Sequence, residues 1–186
     1  MGIYFTSDTH FGRERFFTEE FTNRSMIWKD AEEMDKDLIE LWNSTVGEDD
    51  TVFLLGDYSD HDNQDYNKEL WNKLNGDKKL ILGNHDIKSR LREEDFPLGV
   101  VTFPSCITIN IGDWEVFLSH YPCIDWNNKY TWNGNHHKEH AIQLYGHIHN
   151  YVAPELSNCR AYNVGVDVND FSPISFEDIL KRLKLT

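Results

Sequence analysis

Apolar runs and amphipathic stretches alternate in the first half of the chain. Three apolar runs of strand length lie at residues 3–7, 51–55 and 79–82. Apolar residues at helical spacing predict a helix over 30–43, with Asp30 and Glu33 as its N-terminal capping pair. A second helix is predicted from Tyr66 to Leu74, ending at the Asn-Gly pair that follows. Strands that alternate with helices favour an α/β fold.

The second half of the chain has a different pattern, with β-rich segments separated by turn residues. Strands are predicted at 100–103, 106–111, 114–119, 141–145 and 162–166. Gly112-Asp113 predicts a hairpin turn, and residues 124–140 predict a polar loop. Ser175 is the expected cap of a last helix that ends at Leu183. We therefore predict one α/β domain over 1–186, with at least partly mixed sheets.

Polar side chains follow five of the predicted strands, at the point where each strand ends. They are Asp8, His10, Asp57, Asn84, His85, His120, His147 and His149. In open α/β sheets, sites form at the carboxyl ends of the strands, so these side chains are expected on one rim. Asp8 and His10 are two residues apart, as are His147 and His149, which in extended chain points both members of a pair to the same face.

Carboxylate, imidazole and amide groups without a thiolate predict a particular class of metal. This set suits Mn²⁺, Fe or Zn²⁺ and tolerates Mg²⁺ or Co²⁺, and we expect Mn²⁺. Two ions would use seven of the eight groups, with one carboxylate shared. Two metal ions about 3.5–4 Å apart form a clamp for in-line displacement at phosphorus.

Charge and cysteine content limit the partners and the location. With 18 basic and 32 acidic residues the net charge is −14, which repels duplex DNA unless bound cations reverse the local field. Three widely spaced cysteines predict neither a disulfide framework nor a zinc site, and favour a reducing, cytoplasmic location. We expect no signal peptide and no membrane span.

Taken together, the strand-end motifs resemble the calcineurin-like metallophosphoesterase superfamily. The motifs are SDTH at 7–10, GD at 56–57, GNHD at 83–86, SHYP at 119–122 and GHIH at 146–149. The resemblance implies a sandwich of two mixed β-sheets flanked by helices, with a dinuclear site on one edge. It assigns Asp8, His10 and His149 to the first metal, Asp57 to both, and Asn84, His120 and His147 to the second. It places His85 outside the coordination shell, near the leaving group.

Three further residues near these motifs have two interpretations each. Asp86 either orients His85 through a hydrogen bond or caps a following helix. Arg13 and Arg24 either bind a phosphate oxygen or are surface charges. Members of the superfamily that begin SDTHFG often continue with His, whereas Arg13 stands here, so no substrate contact is carried over from the family.

Two motifs in the 124–140 loop also leave alternatives. His136 to His140 match H-x-x-E-H, the inverted metalloprotease motif, but no helix is predicted to carry it, which favours a solvated loop. Trp126, Tyr130 and Trp132 either form a base-stacking rim or pack the loop onto the core, and packing is slightly favoured.

These observations predict a two-metal hydrolase of phosphate esters. We expect a phosphodiesterase for a small nucleotide-like substrate, with His85 acting on the leaving group. The alternatives are a phosphomonoesterase or nucleotidase, and a non-catalytic binding module on the same fold. The acidic surface and the short chain argue against long duplex DNA.

Overall fold

The computed structural model describes residues 1–18, 22–61, 63–88, 101–103, 106–129 and 140–185. The strands are β1 (Ile3–Thr6), β2 (Thr51–Leu54), β3 (Asp77–Ile81), β4 (Val101–Phe103), β5 (Cys106–Ile111), β6 (Trp114–Ser119), β7 (Ala141–Tyr145), β8 (Ala161–Asn163) and β9 (Ile174–Ser175). The α-helices are α1 (Ala31–Thr45), α2 (Gln64–Lys73), α3 (Asn84–Lys88) and α4 (Phe176–Arg182).

The strands form two mixed sheets. The first has the order β4-β3-β2-β1-β9, with β1 to β4 parallel and β9 antiparallel. The second has the order β5-β6-β7-β8, in which β5 and β6 form an antiparallel hairpin and β6 to β8 are parallel. The predicted sandwich of two mixed sheets with flanking helices is confirmed.

The central strands β1 and β2 of the first sheet contribute side chains to a core on each face, which explains their apolar runs. On one face Leu54 and Leu80 pack against Met34 of α1 and Trp71 of α2. On the other face the side chains pack against the second sheet and α4, in a cluster that includes Phe5, Ile81, Val116, Leu118, Ile142, Leu144 and Ile179. This inter-sheet core joins the two sheets whose strands carry the polar motifs at their carboxyl ends.

Asp30 caps α1 as predicted, since its carboxylate accepts a hydrogen bond from Glu33 N at 2.9 Å. Glu33, the other member of the predicted pair, accepts a hydrogen bond from Lys29 N and not from the backbone N–H of Asp30. Ser175 caps α4 by accepting from Asp178 N. The strand predicted at 162–166 ends at Asn163, because a 3-10 turn over Val166–Val168 follows Gly165.

Candidate active site

The carboxyl ends of β1, β2, β3, β6 and β7 meet along one edge of the sandwich. Three groups of side chains there could hold a metal ion: Asp8, His10 and His149; His10, Asp57 and His85; and Asp57, His120 and His147. Within each group the candidate ligand atoms lie within 4.8 Å of one another. The amide of Asn84 joins the third group, with Oδ1 at 3.0 Å from His120 Nε2.

Asp57 lies between the first and third groups. Its Oδ2 is 3.4 Å from His10 Nε2 and 3.4 Å from His120 Nε2. Its Oδ1 accepts a hydrogen bond from His85 N at 2.8 Å, which fixes the carboxylate orientation. A single oxygen between imidazoles of two groups has the position that a ligand shared by two cations would need.

Hydrogen bonds to the far side of three histidine rings set their orientation. His10 Nδ1 donates to Asp60 Oδ2 at 2.7 Å, and His149 Nδ1 donates to Asp167 Oδ2 at 2.8 Å. His120 Nδ1 donates to the Leu55 carbonyl at 2.7 Å. Metal-binding histidines commonly have such partners, which fix the tautomer and aim the other nitrogen.

The backbone at this edge is left-handed at five of the predicted ligands. The φ angles are 60° at Asp8, 48° at His10, 54° at Asp57, 71° at His147 and 48° at His149. Such conformations cost about 1–3 kcal/mol each in residues other than glycine, and they cluster at functional sites. The paired residues at 8/10 and 147/149 therefore reach the site from left-handed turns, not from the extended chain that their spacing suggested.

Charge in this pocket is arranged around buried carboxylates. Burial raises the pKa of Asp8. Burial opposes ionisation of Asp57 as well, but His120 and His10 hold the Asp57 pKa at about 2. Burial lowers the pKa of His10 to about 3, whereas Asp57 and Asp8 overcome burial at His120 and raise its pKa to about 9. Charge is thus favoured on Asp57 and His120, whereas burial disfavours it on Asp8 and His10.

Two buried polar atoms at this edge indicate that a cation fits. Among the described residues, Asp8 Oδ1 and His10 Nε2 are buried and make no hydrogen bond. A buried carboxylate oxygen without a donor is costly, and a carboxylate can only accept. A divalent cation would satisfy the oxygen and the imidazole nitrogen together, so the donor set fits a metal ion.

His85 lies beside these groups with two charged partners. Its Nδ1 is 2.7 Å from Asp60 Oδ1, and the same carboxylate holds His10 through its other oxygen. Arg13 Nη1 lies 3.0 Å from both Asp60 oxygens and 2.9 Å from His85 Nδ1. Burial alone would raise the pKa of Asp60, but hydrogen bonds from His10 and His85 hold it well below its usual range.

A family model described as the calcineurin-like phosphoesterase superfamily domain matches residues 1–170 of this chain. The chain belongs to that superfamily. The resemblance of the strand-end motifs is therefore confirmed, and the protein is a calcineurin-like metallophosphoesterase with candidate metal-ligand groups.

Relatives match along nearly their whole length. An uncharacterised protein of Methanocaldococcus jannaschii is 29% identical, over 98% of this chain and 91% of its own. The Gene 66 protein of Mycobacterium phage L5 is 31% identical, over 88% of this chain and 86% of its own. A crystal structure of a protein of unknown function from Aquifex aeolicus has a TM-score of 0.72 and 26% identity, covering 97% of this chain and 98% of that one.

Asp86 of this phosphoesterase does not orient His85. Both its oxygens accept hydrogen bonds from backbone N–H groups, at 2.7 Å from Asp57, 2.9 Å from Tyr58 and 2.7 Å from Gly83. Burial raises the Asp86 pKa to about 6, although these donors oppose the shift. Asp86 lies in the first turn of α3, and its bond to Gly83 N satisfies the backbone N–H that precedes this helix, so it contributes to the cap of α3 itself and not of a later helix. Its contacts join the ends of β2 and β3, and Asp60 is the carboxylate that orients His85.

Arg24 is neither a substrate contact nor a surface charge. Its side chain is fully buried, and the guanidinium forms a bidentate pair with Asp167. Asp60 and Asp167 were not predicted, although Asp60 follows Asp57 by three residues and so lies near the same strand end. Arg13 lies beside the site, 2.9 Å from His85 Nδ1, and its contact with substrate remains a prediction.

The described part of the loop after β6, residues 120–129, packs onto the second sheet through Trp126. Trp126 is buried in a cluster with Tyr145 and Leu156, so packing, and not a base-stacking rim, describes this tryptophan. Tyr130, Trp132 and residues 136–139 of the H-x-x-E-H string lie outside the described residues. In the described part of the chain, no helix is long and apolar enough to span a membrane.

Proposed function

We propose that the protein is a dinuclear, Mn²⁺-dependent phosphodiesterase that hydrolyses a small nucleotide-like ester. The observation that carries the proposal is the position of Asp57 Oδ2, 3.4 Å from an imidazole nitrogen of each of two candidate metal groups. A single-metal site would not need a carboxylate shared between two histidine clusters. Members of this superfamily typically depend on two metal ions, which agrees with that arrangement.

The proposal assigns each polar side chain to one ion. Asp8, His10 and His149 would hold the first cation, and Asn84, His120 and His147 the second, with Asp57 contacting both. When bound, the two cations would neutralise the phosphate oxygens and supply an activated water. Oxygen and imidazole donors without thiolate favour Mn²⁺ in these positions.

His85 would act on the leaving group. Asp60 holds the ring by Nδ1, so a proton carried on Nε2, which lies 3.4 Å from Arg13 Nη1, would be the one passed to a departing alkoxide. The ring is part-buried and lies at a T-shaped angle to His10, 4.8 Å between centroids. A cation held by His10 would therefore lie close to the His85 ring, in a position from which His85 could act on a bound ester.

Charge and aromatic contacts support a small diester. Arg13, the arginine beside His85, is paired with Asp60, so beyond the proposed cations it adds little positive charge for the second negative charge of a monoester. Tyr121 is about half exposed and packs on two proposed ligands, with ring centroids 4.6 Å from His147 and 5.0 Å from His120. Its exposed face offers a stacking surface for a nucleobase.

The cysteines agree with the cytoplasmic location that forms part of this proposal. Cys106, Cys123 and Cys159 are all free thiols, and Cys106 is exposed. Exposed thiols persist in reducing compartments.

The test compares bis-p-nitrophenyl phosphate with p-nitrophenyl phosphate in the presence of added Mn²⁺. We expect faster hydrolysis of the diester, loss of activity with chelator, and recovery when Mn²⁺ is restored. The variant Asp57→Asn serves as the control, since it should lose activity on both substrates. A preference for the monoester would favour the phosphomonoesterase alternative. No metal-dependent hydrolysis of either ester, or of a panel of nucleotides and cyclic nucleotides, would favour the binding module.

A further inference from the structure

Arg24 makes the most extensive set of buried contacts around the site. Nε donates to Asp167 Oδ1 at 2.8 Å and Nη2 donates to Asp167 Oδ2 at 2.7 Å. The guanidinium also lies over the Phe16 ring, 4.3 Å from its centroid. The edge contacts of Phe16 with His10 and His149 place this ring between the arginine and two proposed ligands.

The same guanidinium holds the backbone of the first metal motif. Nη2 donates to the Asp8 carbonyl at 2.6 Å, and Nη1 donates to the Thr9 carbonyl at 2.9 Å. These carbonyls belong to the turn in which Asp8 and His10 have left-handed backbones, with φ of 60° and 48°. Two charge-assisted hydrogen bonds to consecutive carbonyls stabilise a turn that its own residues do not favour.

Asp167 links Arg24 to His149, the third residue of the first metal group. Its Oδ2 accepts both from Arg24 and from His149 Nδ1, the latter at 2.8 Å. One arginine therefore reaches Asp8 and His10 through their shared turn, and His149 through Asp167. In the second group His120 is oriented by the Leu55 carbonyl, and the described hydrogen bonds of Arg24 do not reach that group. The second group meets the Asp8 turn through the hydrogen bond from His147 N to Asp8 Oδ2, at 2.8 Å, which involves the Asp8 side chain and not the carbonyls that Arg24 holds.

We propose that Arg24, acting through Asp167 and the Asp8–Thr9 carbonyls, is the positioning residue of the first metal group alone. The inference rests on the metal-binding part of the proposed function. An arginine that only stabilised the fold would change the metal affinity of both groups equally, whereas a positioning residue of the first group should change one. Residues that orient metal ligands typically contribute 10–100-fold to metal affinity.

The test is Mn²⁺ binding to the variant Arg24→Lys, measured by calorimetry and by metal content after dialysis. Lysine keeps the charge but cannot form the bidentate pair or reach both carbonyls. We expect the affinity of one of the two ions to fall about 10–100-fold and the other to change less than about twofold. The matched control is Ile179→Ala, a cavity in α4 within the inter-sheet core, which should lower the melting temperature and leave both affinities unchanged.

Asp167→Asn provides a second route to the same result, since it keeps the shape of the side chain and weakens the pair with Arg24. It should lower the affinity of the same single ion. The proposal is wrong if Arg24→Lys binds both ions with native affinity, or if both affinities fall together. It is also wrong if neither variant folds, because the pair would then support the whole domain. If the unmodified protein binds fewer than two ions, the proposed function fails instead.

Discussion

At the scale of the residue, His85 is proposed to act on the transition state without holding a metal. The variant His85→Ala should keep both ions and lose kcat, because general acid catalysis contributes about 10²–10⁴-fold. Metal content and steady-state kinetics with bis-p-nitrophenyl phosphate measure the two properties separately. Loss of an ion from this variant would place His85 among the ligands, as its proximity to His10 and Asp57 allows.

The leaving group tests the proposed proton transfer from His85. An alkyl ester has a poor leaving group that needs protonation, whereas p-nitrophenolate needs little. His85→Ala should therefore slow hydrolysis of a nucleoside or alkyl ester much more than hydrolysis of the p-nitrophenyl ester. An equal loss on both substrates would mean that His85 stabilises the phosphoryl oxygens, and the general-acid role would be wrong.

Asn84 differs from its neighbour because its amide oxygen lies 3.0 Å from His120 Nε2, inside the second group. The variant Asn84→Ala should weaken binding of the second ion by removing one ligand. Excess Mn²⁺ should then restore part of the activity, and a titration of rate against Mn²⁺ would measure this. We expect the Mn²⁺ concentration that gives half the maximal rate to be higher than in the unmodified protein. An unchanged concentration would exclude Asn84 as a ligand.

The residues that hold the ligands were harder to predict than the ligands themselves. Asp8, Asp57 and His120 each follow an apolar strand, and that pattern is local. Arg24 and Asp167 are 143 positions apart in sequence, so no local pattern links them before the fold is known. Surface exposure was one of the two interpretations that the basic charge of Arg24 allowed. The structure instead buries Arg24 together with Asp167, and the hydrogen bonds between them satisfy both charged groups.

At the scale of the element, the end of β7 packs directly on the turn after β1. A Cβ atom at Gly146 would lie 2.0 Å from Ser7 Oγ and 2.5 Å from Asp8 Oδ2. The variant Gly146→Ala should therefore separate the two strand ends and weaken the first metal group, lowering Mn²⁺ affinity by at least about tenfold. Calorimetric titration measures this.

Gly47→Ala is the control for Gly146→Ala. A Cβ atom at Gly47 meets only the Asp50 side chain, at 3.3 Å or more, and Gly47 precedes the start of β2 and not its carboxyl end. This variant should bind Mn²⁺ with native affinity. Native affinity in Gly146→Ala would show that the strand ends tolerate a displacement of this size, and the close approach would not be needed for the site.

Element type was predictable where a segment was long and periodic. The bounds of β5, β6 and β7 agree with the sequence pattern, and α1 extends the predicted helix by two residues at its C-terminal end. The five-residue α3 and the two-residue β9 were missed, since elements of that length have no periodicity to detect. β9 lies at the edge of the sheet beside β1, where it pairs with Tyr4 and Phe5. These partners are about 170 residues away in the sequence, so no local pattern predicts the pairing.

At the scale of the whole molecule, an acidic chain has folded around a pocket of buried carboxylates. The net charge is −14, and Asp8, Asp57 and Asp86 are all buried near one edge. Arg24 and Arg13 are paired with Asp167 and Asp60, so they do not neutralise these three carboxylates. His120 offsets part of this negative charge, since Asp57 and Asp8 raise its pKa to about 9, and cations bound at the edge would offset the rest.

Metal binding should therefore stabilise the whole domain. A ligand at 100 times its Kd contributes about 2.7 kcal/mol to the free energy of unfolding. For a chain of this size that corresponds to a rise in Tm of roughly 5–10 °C per site. Thermal unfolding with excess Mn²⁺ and with chelator would measure this difference in Tm. The Asp57→Asn variant should show a smaller difference in Tm between the two conditions. A Tm that chelator does not change would mean that no ion is bound at this edge, and the dinuclear assignment would be wrong.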